Sequence, residues 1–168
     1  MNLDDLPAGS LCVVDTNVLV YAEQGVSMQA QRFIRRCGSG ELKGVLPQPV
    51  WQELAHKLML AEAMVRGFVS GGNPAAKLAA KPEAVRGLTL YRAKVKSLLD
   101  LGFGFEPCQL SDLTERAFGL QEKYGLLTND AVVLAVALRL KADALVSRDK
   151  GFGGVDEIEL YSPTDLKL

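Results

Sequence analysis

At 168 residues, 48% hydrophobic and 23% charged, the chain holds enough apolar material for one substantial core and too little for two, so residues 1–168 are read as one domain. The opening MNLDDLPAGS carries two acids and no cation, unlike a secretory leader, and the apolar run Ala131 to Leu138 is far shorter than a bilayer span, so neither export nor a membrane is expected. Three cysteines without CxxC spacing, Cys12, Cys37 and Cys108, indicate a reducing, cytoplasmic setting, and the single histidine, His56, excludes histidine-rich zinc sites and most Ser-His-Asp schemes.

Leu11 to Val14 is a valine-rich apolar run followed at once by Asp15-Thr16-Asn17, which reads as a buried strand entering a helix cap. A helix from about Val18, broken near Gly25, and another from about Ser27 to Arg36 follow, with Gly38 and Gly40 as stops. Leu42 to Leu46 reads as a second strand, weakened by Gly44. Pro47 and Pro49 restrict the next turn, so the helix bearing Trp51, Glu53, Leu54 and Leu58 is expected to begin near Val50. Ser70 to Pro82 is loop-like and separates two basic helical segments near 50–68 and 83–101, which predicts a mobile helical arm at about 57–101.

Phe105 to Leu110 reads as a third strand, and Ser111-Asp112 as the cap of a helix reaching about Lys123. A helix from Asp130 to about Leu140 leads into a strand over Ala144 to Ser147 that ends at Asp149, and Ile158 to Tyr161 reads as an edge strand. This alternation predicts a three-layer α/β/α architecture, with a mainly parallel sheet of four to five strands, right-handed crossovers and a helical basic insertion. In such sheets the functional crevice lies beyond the carboxyl ends of the strands, where Asp15 and Asp149 fall.

The net charge of −1 hides an asymmetry. Between Lys57 and Lys96 eight cations face two acids, a local charge of +6 that leaves −7 on the remainder. A basic arm on an acidic body is one way to hold a phosphate backbone beside carboxylates, and Lys57, Arg66, Arg86, Arg92, Lys94 and Lys96 are its candidate RNA contacts. A solvated helical face is the ordinary alternative.

Taken singly, each acid also has an ordinary explanation: an Asp at a helix start favours the macrodipole, and a Glu on a helix is usually solvated. The set is less ordinary. Asp15 and Asp149 stand at strand ends, Asp130 in a first helical turn after Thr128-Asn129, and Glu53 in the first turn after a proline-bounded strand exit, all on one side of the predicted sheet. Four convergent carboxylates repel one another, and hard divalent cations such as magnesium prefer oxygen ligands, so the cluster implies a bound metal. Asn17 and Ser147 are candidates to orient the ligands, with an N-cap and a strand-end turn residue as their alternatives.

These residues resemble the PIN-domain nucleases, in particular the VapC-type toxins. The resemblance covers nearly the whole chain and rests on VVDTNVL at 13–19, Pro49 four residues before Glu53, LLTNDAVVLAVAL at 126–138 and ALVSRDKGF at 144–152. It implies a PIN-like fold and a Mg²⁺- or Mn²⁺-dependent ribonuclease with Asp15, Glu53, Asp130 and Asp149 as catalytic and metal-binding residues. Ser147 stands where the family has Thr or Ser. A homodimer inhibited by a small antitoxin is the partner expectation of the resemblance.

A non-catalytic PIN fold that binds RNA or protein is the main alternative; such domains lose acids, and all four are present here. A haloacid dehalogenase-like phosphatase needs a second Asp two residues after the first, where this chain has Asn17. A receiver domain needs an acidic pair before its first strand and a later Lys, and no GxGxxG or GxxxxGK[ST] phosphate loop occurs.

Overall fold

The computed structural model describes residues 1–166. At its centre lies β1 (Leu11–Val14), whose Cys12, Val13 and Val14 are fully buried. Such a run, apolar on both faces, suits a strand covered on both sides. Around it stand β2 (Lys43–Pro47), β3 (Gly104–Glu106), β4 (Ala144–Val146) and β5 (Glu159–Tyr161), in the order β3-β2-β1-β4-β5 with every pair parallel. Val13 is flanked by Val45 on one side and Leu145 on the other, which fixes the register at the core.

The helices are α1 (Thr16–Gln24), α2 (Met28–Gly38), α3 (Gln48–Val65), α4 (Pro74–Ala79), α5 (Pro82–Gly87), α6 (Leu90–Asp100), α7 (Ala117–Tyr124) and α8 (Thr128–Arg139). The expected α/β architecture is thus present, with five strands. Gly25 closes α1 in the left-handed region, φ +70°, as a helix stop should. Seven consecutive residues of α8, Ala131 to Ala137, are buried against the sheet. No helix among the described residues is long and apolar enough to cross a membrane.

Several local expectations need correction. Gly44 does not weaken β2; a Cβ there would lie 2.5 and 2.7 Å from ring carbons of Phe103, so glycine is what lets Phe103 close over the strand. The loop expected over 70–82 contains α4, started by Asn73, whose side chain accepts from Ala76 N at 3.1 Å. The third strand stops at Glu106 rather than Leu110, because Pro107 offers no N–H to continue the ladder. Ser111 makes no side-chain capping bond; a π-helical turn over Asp112–Arg116 leads into α7 instead. Asp112 is fully buried and accepts from Arg139 Nε at 2.9 Å and Arg116 Nη1 at 3.0 Å, while Arg139 also meets Glu106 at 2.8 Å.

The arm is helical, as expected, and it is folded around apolar contacts of its own. Ala63, Val69, Leu78 and Leu88 form a small buried cluster separate from the main core, with Met59, Phe68, Val85 and Tyr91 packed against it. Glu62, buried on α3, joins the two long helices by accepting from Thr89 N at 3.1 Å and Tyr91 N at 2.8 Å. Burial pushes its carboxyl up, but the N–H groups of Tyr91, Leu90 and Thr89 and the Arg66 guanidinium outweigh that and hold it below the usual carboxylate range.

Candidate active site

Asp15 follows β1 directly and occupies the N-cap of α1, yet its side chain makes no capping bond. Its Oδ2 instead accepts from Asn17 Nδ2 and from Ser147 Oγ, both at 2.6 Å. Ser147 is fully buried, and its Oγ also accepts from Asp149 N at 3.0 Å. Asn17 Oδ1 accepts from Arg148 N at 3.2 Å. The two expected orienting residues therefore lash the exit of β1 to the exit of β4. Because β4 ends at Val146, Ser147 and Asp149 meet through a turn and not by sharing a strand face.

Asp149 is exposed and starts a 3-10 turn over Lys150–Gly154, its Oδ1 accepting from Gly151 N at 2.7 Å. Glu53 lies in the second turn of α3, because that helix starts at Gln48, two residues before the expected Val50. Its Oε2 accepts from Thr16 Oγ1 at 2.9 Å, and its Oε1 is 2.7 Å from Lys57 Nζ. Asp130 is the third residue of α8, half-buried, and takes no hydrogen-bond donor among the described residues.

Electrostatics tie these acids together. Asp130 is pushed up to about 6, first by burial and then by Asp149, Asp15 and Glu53. Asp15 is also raised, chiefly by burial; hydrogen bonds from Ser147 and Thr16 oppose this, while Glu53 and Asp149 add to it. The fold thus gathers the four acids at the carboxyl edge of the sheet. As they stand, no three Asp, Glu, His or Cys side chains among the described residues converge into a metal cage. Asp15, Glu53 and Asp149 each accept from protein donors. The donor set is oxygen-only and anionic, which fits a hard divalent cation and not a soft one.

The candidate RNA contacts are placed differently from what a charge count implies. Arg66 donates to Gly87 O at 2.5 Å and pairs with Glu62; Arg86 pairs with Glu83, Lys94 with Glu23, and Arg92 donates to Val85 O at 3.3 Å. Lys57 is on Glu53. Arg92 has no ion-pair partner among the described residues, and Lys96, exposed on α6, has neither an ion-pair partner nor a hydrogen-bond acceptor among them. Residue-by-residue reading missed Thr16, whose signal was its place between Asp15 and Asn17, and Glu62, whose signal was an acid on a partly apolar helix four residues before Arg66.

The family model described as the PIN domain matches residues 12–158, most of the chain. The chain belongs to the PIN-domain family. A search of the curated proteins finds no matching sequence. Among solved structures, this PIN domain is similar to VapBC2 from Rickettsia felis, bound there to a DNA fragment from its promoter, with a TM-score of 0.58 and 15% identity over 90% of this chain and 98% of that one. It is similar to a toxin-antitoxin complex from Klebsiella pneumoniae, with a TM-score of 0.56 and 19% identity over 94% and 99% of the two chains. VapBC-1 from nontypeable Haemophilus influenzae gives 0.54 and 14% over 90% and 97%. At such identities the likeness is one of fold.

Proposed function

We propose that this PIN domain is a divalent-metal-dependent endoribonuclease, hydrolysing RNA phosphodiester bonds with Mg²⁺ or Mn²⁺, and that it is the toxin of a toxin–antitoxin pair. The observation that carries the nuclease reading is the coupled set of Asp15, Glu53, Asp130 and Asp149 at the sheet edge, with Asp130 raised to about 6 by burial and its three neighbours. Like charges so placed, with Lys57 pairing Glu53 alone, disfavour the folded state unless a further cation uses them. Likeness of fold to toxin–antitoxin complexes supports the partner reading, in which a small antitoxin binds a cytoplasmic homodimer.

In this reading residues 1–168 act as one nuclease domain. A divalent cation bound at these carboxylates supplies an acidified water and neutralises phosphate charge. The chain's own residues do the positioning. Asn17 and Ser147 fix Oδ2 of Asp15, and with it the orientation of the carboxylate. Thr16 holds Glu53 against the α1 start, and Asp130 contributes a carboxylate with no competing protein donor. The arm, through Lys96 and any of Lys57, Arg66, Arg86, Arg92 and Lys94 that exchange partners, approaches the RNA backbone.

Cleavage of labelled RNA by wild type and Asp15→Asn, each in Mg²⁺, Mn²⁺ or EDTA, tests this. Wild type is expected to cleave only with metal, and the substitution to lower the rate roughly 10²–10³-fold, the scale of losing one essential electrostatic group. Cleavage that survives both EDTA and the substitution rejects the reading. The competing reading is a binding-only PIN domain, favoured by the absence of a three-ligand cage among the described side chains as they stand. RNA binding without cleavage in any metal selects it.

A further inference from the structure

We propose that Lys57 is the resident counter-ion of the carboxylate cluster: it competes with the divalent cation for Glu53 and, once displaced, turns to the phosphate backbone of the substrate. This rests on the metal-nuclease reading above. Among the described residues Lys57 is the one cation in an ion pair with any of the four acids. The neighbouring basic residues of the arm spend their charge elsewhere, Arg66 on Glu62 and Lys94 on Glu23.

The geometry gives Glu53 two states. With Lys57 Nζ 2.7 Å from Oε1 and Thr16 Oγ1 2.9 Å from Oε2, both of its oxygens are engaged by the protein. A cation that takes Glu53 through Oε1 competes with the ammonium for that oxygen. Lys57 lies one helical turn after Glu53, with its side chain 49% exposed, so its flexible stem is free to swing. It then carries an unpartnered positive charge beside the place where a phosphodiester has to lie, and lysine binds phosphate as a point charge. An acidic cluster repels RNA; a released lysine at its rim offsets that repulsion only when the metal is in place.

Isothermal titration of metal-free protein with Mn²⁺, paired with steady-state cleavage of labelled RNA at saturating Mn²⁺, separates this from a plain surface pair. Met and Lys have nearly equal helix propensity, so Lys57→Met leaves α3 intact. It is expected to bind Mn²⁺ about two- to fivefold more tightly, the scale of losing one exposed competing pair. Its KM for RNA is expected to rise about three- to tenfold, from loss of one phosphate contact, with kcat less affected. Lys57→Arg, which keeps the charge and can re-form the pair, stays near wild type. Lys43→Met, at the amino end of β2, changes neither quantity.

Unchanged Mn²⁺ affinity or unchanged KM in Lys57→Met overturns the proposal, as does a Lys57→Arg that shifts like the methionine variant. If wild type binds Mn²⁺, Asp15→Asn binds it weakly and Lys57→Met matches wild type, only the role of Lys57 is lost. If wild type itself binds no Mn²⁺, the metal reading fails and this proposal fails with it.

Discussion

At the carboxyl edge of the sheet, Asp130 is half-buried, takes no donor among the described residues and faces three other acids. Along the arm the opposite holds: Lys77 donates to Ser70 O and Gly71 O, Lys81 to Phe68 O, Arg66 to Gly87 O, and Arg86 meets Glu83. At the edge Lys57 on Glu53 is the one cation paired with any of the four acids, whereas the arm uses most of its charge to close its own turns. Unspent charge held in place by buried strands is the mark of a site; charge that satisfies nearby carbonyls belongs to folding. Net positive charge therefore overstates what the arm has left for a polyanion.

The largest expected effect falls on the arm's private core. Leu88 is fully buried there with Ala63, Val69 and Leu78. Leu88→Ala should cost about 2–5 kcal/mol within that unit, from lost transfer energy and the cavity left behind. Hydrogen exchange followed by mass spectrometry should show protection falling over α4, α5 and α6 while β1 and β4 keep theirs, because sub-globular units open separately. Equal loss of protection in the strands breaks the comparison, since the two regions would then be one cooperative unit.

Both regions were unequally legible in the sequence. The strands could be read because Cys12 to Val14 and Ala144 to Val146 are short apolar runs buried on both faces, which leaves little freedom of assignment. Asp15 and Asp149 were legible because each sits where such a run ends. Asp112 was not: Ser111-Asp112 carries the local mark of a helix cap, but the partner that decides its role, Arg139, is 27 residues away. Gly44 misled for a similar reason, its need being set by Phe103. The arm's cations were countable, yet a count carries no direction, and Glu23, which takes Lys94, lies on another helix. What propensity and periodicity report is local; what a charge does depends on contacts across the fold.

A smaller effect probes the edge. In metal-free protein, burial and then the neighbouring acids push the Asp130 carboxyl up to about 6, from an ordinary 3.8 for the free side chain. The folded state therefore binds a proton that the unfolded state does not between those values, so this group's contribution to stability is present at low pH and is lost as pH rises through about 6. Asp130→Asn removes the penalty. In EDTA, it should be more stable than wild type by about 1 kcal/mol at pH 7.5, a figure discounted for the solvent-facing side of the group. The gap should close by about pH 4. Urea denaturation at both pH values checks this; a variant no more stable than wild type at pH 7.5 means the edge is not under the burial and like-charge load that sets it apart from the arm.

The smallest effect asks whether the arm has charge to spare. Lys94 is held by Glu23, whereas Lys96, exposed on the same helix, has no ion-pair partner among the described residues. If the arm meets RNA through unspent cations, Lys96→Ala should lower the slope of log affinity against log salt by about 0.7, the value for one single-strand phosphate contact, and Lys94→Ala should leave it unchanged. Fluorescence anisotropy with labelled RNA in an Asp15→Asn background reads this without cleavage. Equal slope changes in the two variants would mean that the pair with Glu23 opens readily on binding, and internal pairing would then cease to divide the arm's structural charge from its RNA-facing charge.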